Sequence, residues 1–254
     1  DRLKMNSVFQ YLLDVKSEKG AGYIVLIDPD KKNEKSLIKQ VEAANHSGVD
    51  ALFVGGSLMM DSNHNERVAQ IKKCSDIPVI FFPGGANQIN SHYDAMLFMS
   101  LLSGRNPQYL IGEQVVVAPI VKDMGMEVIP TAYLLFDGGA HSTVEVISGT
   151  RPLPMNRPDI AVAHALAAEF MGKKLIYLEA GSGATDAVSI DIIQSISSNT
   201  HVPLIVGGGI RTPKSAQERI AAGASFIVTG TVLEENGNNG LMNAFADAVH
   251  GGTS

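Results

Sequence analysis

Eight short apolar runs, each followed by a polar or glycine-rich turn, constrain this chain more than any other feature. They are GYIVLI (22–27), ALFV (51–54), PVIFF (78–82), AMLFMS (95–100), EVIPTAYLLF (127–136), KLIYLE (174–179), PLIVG (203–207) and FIVTG (226–230). Continuous rather than alternating apolar runs belong to strands covered on both faces, and segments of helical spacing between them signal βαβ units of a parallel sheet. Eight units close a parallel barrel, so the expected fold is α/β, a (β/α)8 TIM-type barrel formed as a single domain over 1–254. No charge block, low-complexity tract or linker divides the chain. An N-terminal helix is expected over about 1–19, a helix capped by Asn33 or Ser36 over 35–47, one opened by Asp159 over 159–171, and one started by Thr212-Pro213. The stretch DGGAHSTVEVISGTRPLPMNRP (137–158) is too long and too rich in glycine and proline for a simple connector and reads as an irregular functional loop.

In such a barrel the loops after the strands form the active face. The polar and glycine-rich stretches fall there: DPDKKN after the first strand, GGS after the second, PGGANQ after the third, AGSGATD after the sixth, GGGI after the seventh and GTVLEEN after the eighth. The loops after strands seven and eight are the recurrent phosphate site of this fold, because glycines let backbone N–H groups approach the oxygens. Gly208, Gly209, Gly230 and Thr231 are therefore expected to hold a phosphomonoester, the alternative being glycines that only serve tight strand-to-helix turns. Gly181, Ser182 and Gly183 close the cradle from the other side, with the Ser182 hydroxyl as a further donor.

At the opposite side of the mouth, IDPDKK (27–32) places Asp28 at the barrel rim, and VGGSLMM (54–60) places Ser57 on the adjoining loop. A carboxylate and a hydroxyl suit a Mg²⁺ ion that keeps its waters and binds chiefly through a substrate diphosphate, and make a poor cage without one. Asp28 read alone is equally a turn aspartate bonded to the backbone around Pro29, Ser57 a Gly-Gly-Ser turn residue, and Lys31 a diphosphate ligand or a solvated lysine.

A net charge of −6 and a pI near 5.6 disfavour nucleic acid or an anionic membrane surface as a partner, so an anionic substrate needs a local cradle. The single cysteine, Cys74, excludes an internal disulfide and fits a reducing compartment. No apolar stretch reaches the roughly 20 residues that span a bilayer, and the first residues lack the order of a signal peptide, so a cytoplasmic location is expected. The seven histidines show no zinc spacing, G-x-S-x-G is absent, and GGGIRTP lacks the dinucleotide fingerprint. Residues 93–121 are unusually apolar, which fits either core plus an oligomer interface or a groove for a hydrocarbon substrate.

Taken in order, LIDPDK (26–31), FVGGS (53–57), LLSGRNPQYLIGEQ (101–114), YLEAGSG (177–183), VGGGI (206–210) and VTGT (228–231) resemble geranylgeranylglyceryl phosphate synthase, in the group shared by archaea and some bacteria. The resemblance implies transfer of a prenyl group from a prenyl diphosphate to the 3-hydroxyl of sn-glycerol 1-phosphate, with Mg²⁺ and release of pyrophosphate. It places the metal on Asp28 and Ser57, and glycerol phosphate on Tyr177, Leu178, Glu179, Ala180, Gly181, Ser182, Gly183, Gly208, Gly209, Gly230 and Thr231. Thr231 stands where many archaeal members have asparagine. Lys31 would meet the diphosphate across the barrel mouth. Glu179 would bind the glycerol hydroxyls and accept the proton as the ether forms, with Asp28 the second catalytic residue. Glu179 is otherwise a strand-end carboxylate paired with a basic residue. The apolar 93–121 region points to a homo-oligomer, dimer or hexamer, a prenyl substrate and product fit at most peripheral contact with a membrane, and the net charge leaves no nucleic-acid partner expected. A phosphosugar isomerase or aldolase would need an acid–base pair or a Schiff-base lysine at a strand end. A phosphate-binding barrel without turnover would have no need of Asp28 and Ser57.

Overall fold

The computed structural model describes residues 7–236 and 240–251, with the side chains of Lys31 and of residues 234–236 outside that description. The eight expected strands form: β1 (Gly22–Ile27), β2 (Ala51–Val54), β3 (Val79–Phe81), β4 (Ala95–Leu101), β5 (Glu127–Leu135), β6 (Leu175–Glu179), β7 (Leu204–Gly207) and β8 (Phe226–Thr229). Each pairs in parallel with the next, and β8 pairs with β1 to close the barrel, with Gly22 opposite Phe226. Around it lie α1 (Val8–Lys19), α2 (Leu37–His46), α3 (His64–Cys74), α4 (Glu113–Met124), α5 (Thr143–Ser148), α6 (Pro158–Phe170), α7 (Ile190–Ser197), α8 (Pro213–Ala221), α9 (Thr231–Asn236) and α10 (Leu241–Val249).

Because successive strand residues point to opposite faces, every strand feeds two cores. On β6, Leu175 and Tyr177 join Ile24, Phe53, Ile80, Leu97, Ile205 and Phe226 inside the barrel, while Ile176 and Leu178 pack outward beneath the helices. The floor is closed by α1, whose Val8 and Leu12 enter the inner core. Its first-turn N–H groups, which have no partner within the helix, donate to the Glu127 carboxylate at the start of β5 (2.6 Å from Val8, 2.9 Å from Phe9). Beside it, buried Asp50 accepts from Lys19 Nζ (2.5 Å), the Tyr23 N–H (2.8 Å) and His250 Nε2 (2.7 Å), tying α1, β1 and the end of α10 together.

Three expected boundaries move. Residues 137–158 are not irregular throughout: Ser142 caps α5 by accepting the Glu145 N–H (3.2 Å), and Leu153 bridges Phe136. Lys31–Asn33 form a short 3-10 turn, so α2 starts at Leu37, and Ser36 donates to the Asn33 carbonyl (2.9 Å) instead of capping. Asp159 lies inside α6, paired with Arg157 (2.6 Å), because Pro158 takes the first helical position. For the N-terminal helix, residues 1–6 lie outside the described residues, and Ser7 caps the remainder by accepting the Gln10 N–H (3.1 Å).

Candidate active site

At the carboxyl ends of the strands a cavity opens to solvent. It is flanked by an apolar groove with which it shares Gly56, Ser57, Phe82, Tyr133 and Val144. Gly208, Gly209, Gly230, Thr231, Ser182 and Gly183, from the loops after β6, β7 and β8, line the cavity together with Asp28, Asp30, Lys32 and Ser57 from the adjoining loops after β1 and β2. The two groups of residues expected from the sequence to serve phosphate and metal thus face one space.

The cradle is built by close backbone approach. Gly208 has a φ of +78°, and a Cβ there would fall 2.3 Å from Glu179 Oε1 and 2.8 Å from the Gly181 nitrogen. Only glycine lets the chain after β7 pass over that carboxylate. Ser182 Oγ lies 3.3 Å from Thr231 Oγ1, bringing the loop after β6 against the start of α9.

Glu179 sits beneath this cradle, 7% exposed. Oε1 accepts the Gly181 N–H at 2.7 Å, which orients the carboxylate. Burial pushes its pKa up to about 7, against the opposing pull of that N–H. The Tyr177 hydroxyl faces the same carboxylate and also favours its ionised form, although it meets no hydrogen-bond partner at good geometry among the described residues. Tyr177 is stacked on Tyr133 (centroids 5.4 Å apart, 19° between planes), which fixes the ring. No lysine or arginine forms an ion pair with Glu179 among the described residues, so it is not the strand-end salt bridge that the sequence left open.

Two of the expected contacts do not face the cavity. The side chains of Leu178 and Ala180 lie in the outer core beneath the helices, because they alternate with Tyr177 and Glu179 along the strand. The Gly181 N–H is committed to Glu179 and so orients the carboxylate.

On the loop after β1, Asp28 Oδ1 accepts the Asp30 N–H (3.2 Å), and Oδ2 is paired with Lys32 Nζ (3.1 Å). A Cβ on Gly56 would lie 2.7 Å from Asp28 Oδ1, so the Gly-Gly-Ser turn packs directly on the carboxylate and brings Ser57 beside it. The donor set here is hard oxygen, from Asp28, Ser57 and the buried Asp30, which fits Mg²⁺ completed by waters and a ligand's oxygens. No cluster of three or more His, Cys, Asp or Glu able to hold a metal by itself occurs among the described residues. The Lys31 side chain, expected at the diphosphate, lies outside the described residues; Lys32 is the lysine on the cavity wall.

The groove is lined by Met96, Phe98, Met99 and Leu101 of β4, by Tyr109 and by Val117 of α4, with Val144 and Ile147 of α5 opposite. Tyr109 lies on a π-helical turn, Gln108–Gly112, of a kind that frequently marks functional sites. Sequence reasoning missed Tyr133, α5 and Arg211, all on the cavity wall. The S-x-x-E signature at Ser142–Glu145 would have found α5, and the inward period of β5 would have found Tyr133. Nothing in the local sequence singles out Arg211.

The PcrB family model matches residues 13–249. The chain belongs to the PcrB family. This family member is 42% identical to the geranylgeranylglyceryl phosphate synthase of Chitinophaga pinensis over 245 residues, covering 96% of each chain. It is 41% identical to that of Methanosphaera stadtmanae over 229 residues, covering 90% of this chain and 93% of the relative. The crystal structure of (S)-3-O-geranylgeranylglyceryl phosphate synthase from Thermoplasma acidophilum, in complex with its substrate sn-glycerol-1-phosphate, superposes with a TM-score of 0.92 at 36% identity, covering 97% of this chain and 100% of that one.

Proposed function

We propose that this PcrB family member is a geranylgeranylglyceryl phosphate synthase, joining a prenyl group to the 3-hydroxyl of sn-glycerol 1-phosphate and releasing pyrophosphate. The observation that carries the reading is the continuity of the glycine cradle and its buried carboxylate with an apolar groove, a space suited to one phosphorylated and one hydrocarbon substrate. The substrate named for the Thermoplasma acidophilum enzyme supports the acceptor's identity.

In this reading Gly208, Gly209, Gly230, Thr231, Ser182 and Gly183 bind the acceptor phosphate, and Tyr177 and Glu179 bind the glycerol hydroxyls. The 3-hydroxyl oxygen bonds to C1 of the prenyl group as the C1–O bond to diphosphate breaks, and its proton passes to the Glu179 carboxylate. A pKa near 7 suits that transfer, since a stronger acid would be a weaker acceptor and a weaker acid would stay protonated at neutral pH. Asp28 and Ser57 would hold Mg²⁺, whose positive charge would favour departure of the diphosphate, and Lys31 would add a further cation there. The only described lysine on the cavity wall is Lys32, paired with Asp28, so the aldolase reading lacks a strand-end nucleophile. No described helix is long and apolar enough to cross a membrane. A cytoplasmic location, with at most peripheral membrane contact, belongs to this reading. So does self-association, which the exposed Val115, Val116 and Ile120 of α4 support.

Incubation with labelled sn-glycerol 1-phosphate and geranylgeranyl diphosphate, with and without Mg²⁺, tests the proposal. A Mg²⁺-dependent ether lipid is expected, and no product at any prenyl chain length would refute it.

A further inference from the structure

Arg67, in the first turn of α3, is the largest fully buried side chain of the described residues, at 1% exposure. Its Nε donates to the Pro29 carbonyl (2.6 Å), Nη1 donates to Asp61 Oδ2 (3.0 Å), and Nη2 donates to Asp61 Oδ1. Pro29 directly follows Asp28 on the loop after β1, and Asp61 lies on the loop after β2 that carries Ser57. The last ladder bond between these strands runs from the Gly55 N–H to the Ile27 carbonyl (3.2 Å). Past that point the strands no longer hold the two loops in register, and the guanidinium spans them.

A buried ion pair is a poor device for stability alone, because desolvation offsets most of the attraction, and apolar side chains of similar volume do as well. What the pair supplies is geometry. A planar fork bound at three points fixes direction as well as distance, which a lysine ammonium, a point charge on a flexible stem, does not. The Asp61, Asp30 and Glu34 carboxylates around it keep the guanidinium charged.

We infer that Arg67 is a positioning residue for the diphosphate end of the site, locking the Asp28 loop to the Ser57 loop so that both oxygen donors are presented together. This rests on the prenyltransferase reading, and it assigns Arg67 no contact with substrate. None of the Arg67 hydrogen bonds reaches the glycine cradle, built on β6, β7 and β8, so the cradle and the Asp28 and Ser57 loops are expected to respond differently to its loss.

The test compares wild type with Arg67→Lys and Asp61→Asn by calorimetric titration with magnesium pyrophosphate and, separately, with sn-glycerol 1-phosphate. Outer residues that orient metal ligands typically contribute about 10–100-fold to affinity. A loss of that size is expected for magnesium pyrophosphate in both variants, with glycerol phosphate affinity unchanged and KM rising for the prenyl diphosphate alone. Equal losses for both ligands, or no loss for either, would overturn the inference. If Arg67→Lys does not fold, Asp61→Asn carries the same comparison, since it keeps the arginine and removes its partner's charge together with one of the two accepting oxygens. A wild-type protein that binds neither ligand refutes the prenyltransferase reading itself; wild-type binding of both with unchanged variants refutes the role of Arg67 alone.

Discussion

Glu179→Gln separates the chemical role of this carboxylate from its structural one, because the two readouts move in opposite directions. Burial raises the Glu179 pKa from 4.5 to about 7, so ionising it in the folded protein costs about 3 kcal/mol more than in the unfolded chain, at about 1.4 kcal/mol per pH unit. With the folded pKa above the unfolded one, the folded state binds more protons between pH 4.5 and about 7. Stability therefore falls as pH rises through that window, and the full penalty is present above it. Glutamine keeps an oxygen to accept the Gly181 N–H and removes the ionisation. The variant should be more stable than wild type at pH 8, with the gap closing towards pH 5, as read by thermal unfolding at each pH. Its turnover should drop by about 10²–10⁴-fold, the usual contribution of a positioned proton acceptor, with sn-glycerol 1-phosphate affinity little changed. The wild-type kcat/KM should rise with pH through about 7, where the carboxylate ionises, and that limb should be missing in the variant. A wild-type profile flat from pH 5 to 9, or a variant less stable than wild type at pH 8, would refute the argument.

Asp28→Ala should abolish Mg²⁺-dependent turnover while calorimetry still detects sn-glycerol 1-phosphate, because the glycine cradle is built on the loops after β6, β7 and β8 and does not include the altered side chain. Tyr177→Phe removes a buried hydroxyl with no well-aligned partner among the described residues, so the melting temperature should hold or rise while KM for glycerol phosphate increases; a fall in stability with KM unchanged would remove Tyr177 from the site. Gly208→Ala forces a Cβ onto a residue with a φ of +78° and to within 2.3 Å of Glu179 Oε1. A stability loss of about 1–3 kcal/mol is expected in denaturant titration, together with weaker glycerol phosphate binding.

The strand count, the barrel and the clustering of glycine loops at one rim were legible in the sequence because each is a local signal. A short apolar run reports a buried strand, and consecutive glycines report close backbone approach, whatever lies elsewhere in the chain. That Asp28 and Ser57 share one end of the cavity followed from strand order, since neighbouring strands of a closed barrel place their loops side by side. Which side chains of YLEAGSG face the cavity was decided by the pleat in its tertiary setting, which turns Leu178 and Ala180 into the outer core and leaves Tyr177 and Glu179 on the cavity wall. The acidity of Glu179 was decided there too: its local sequence is that of an ordinary strand-end glutamate, and its raised pKa arises from burial beneath the loop after β7. Arg67 reads in sequence as one charged residue of a surface helix, NERVAQIKK. Only the folded chain brings Pro29 and Asp61, 38 residues before it and six before it, to the same guanidinium, because hydrogen-bond geometry depends on distance in space and not on separation along the chain.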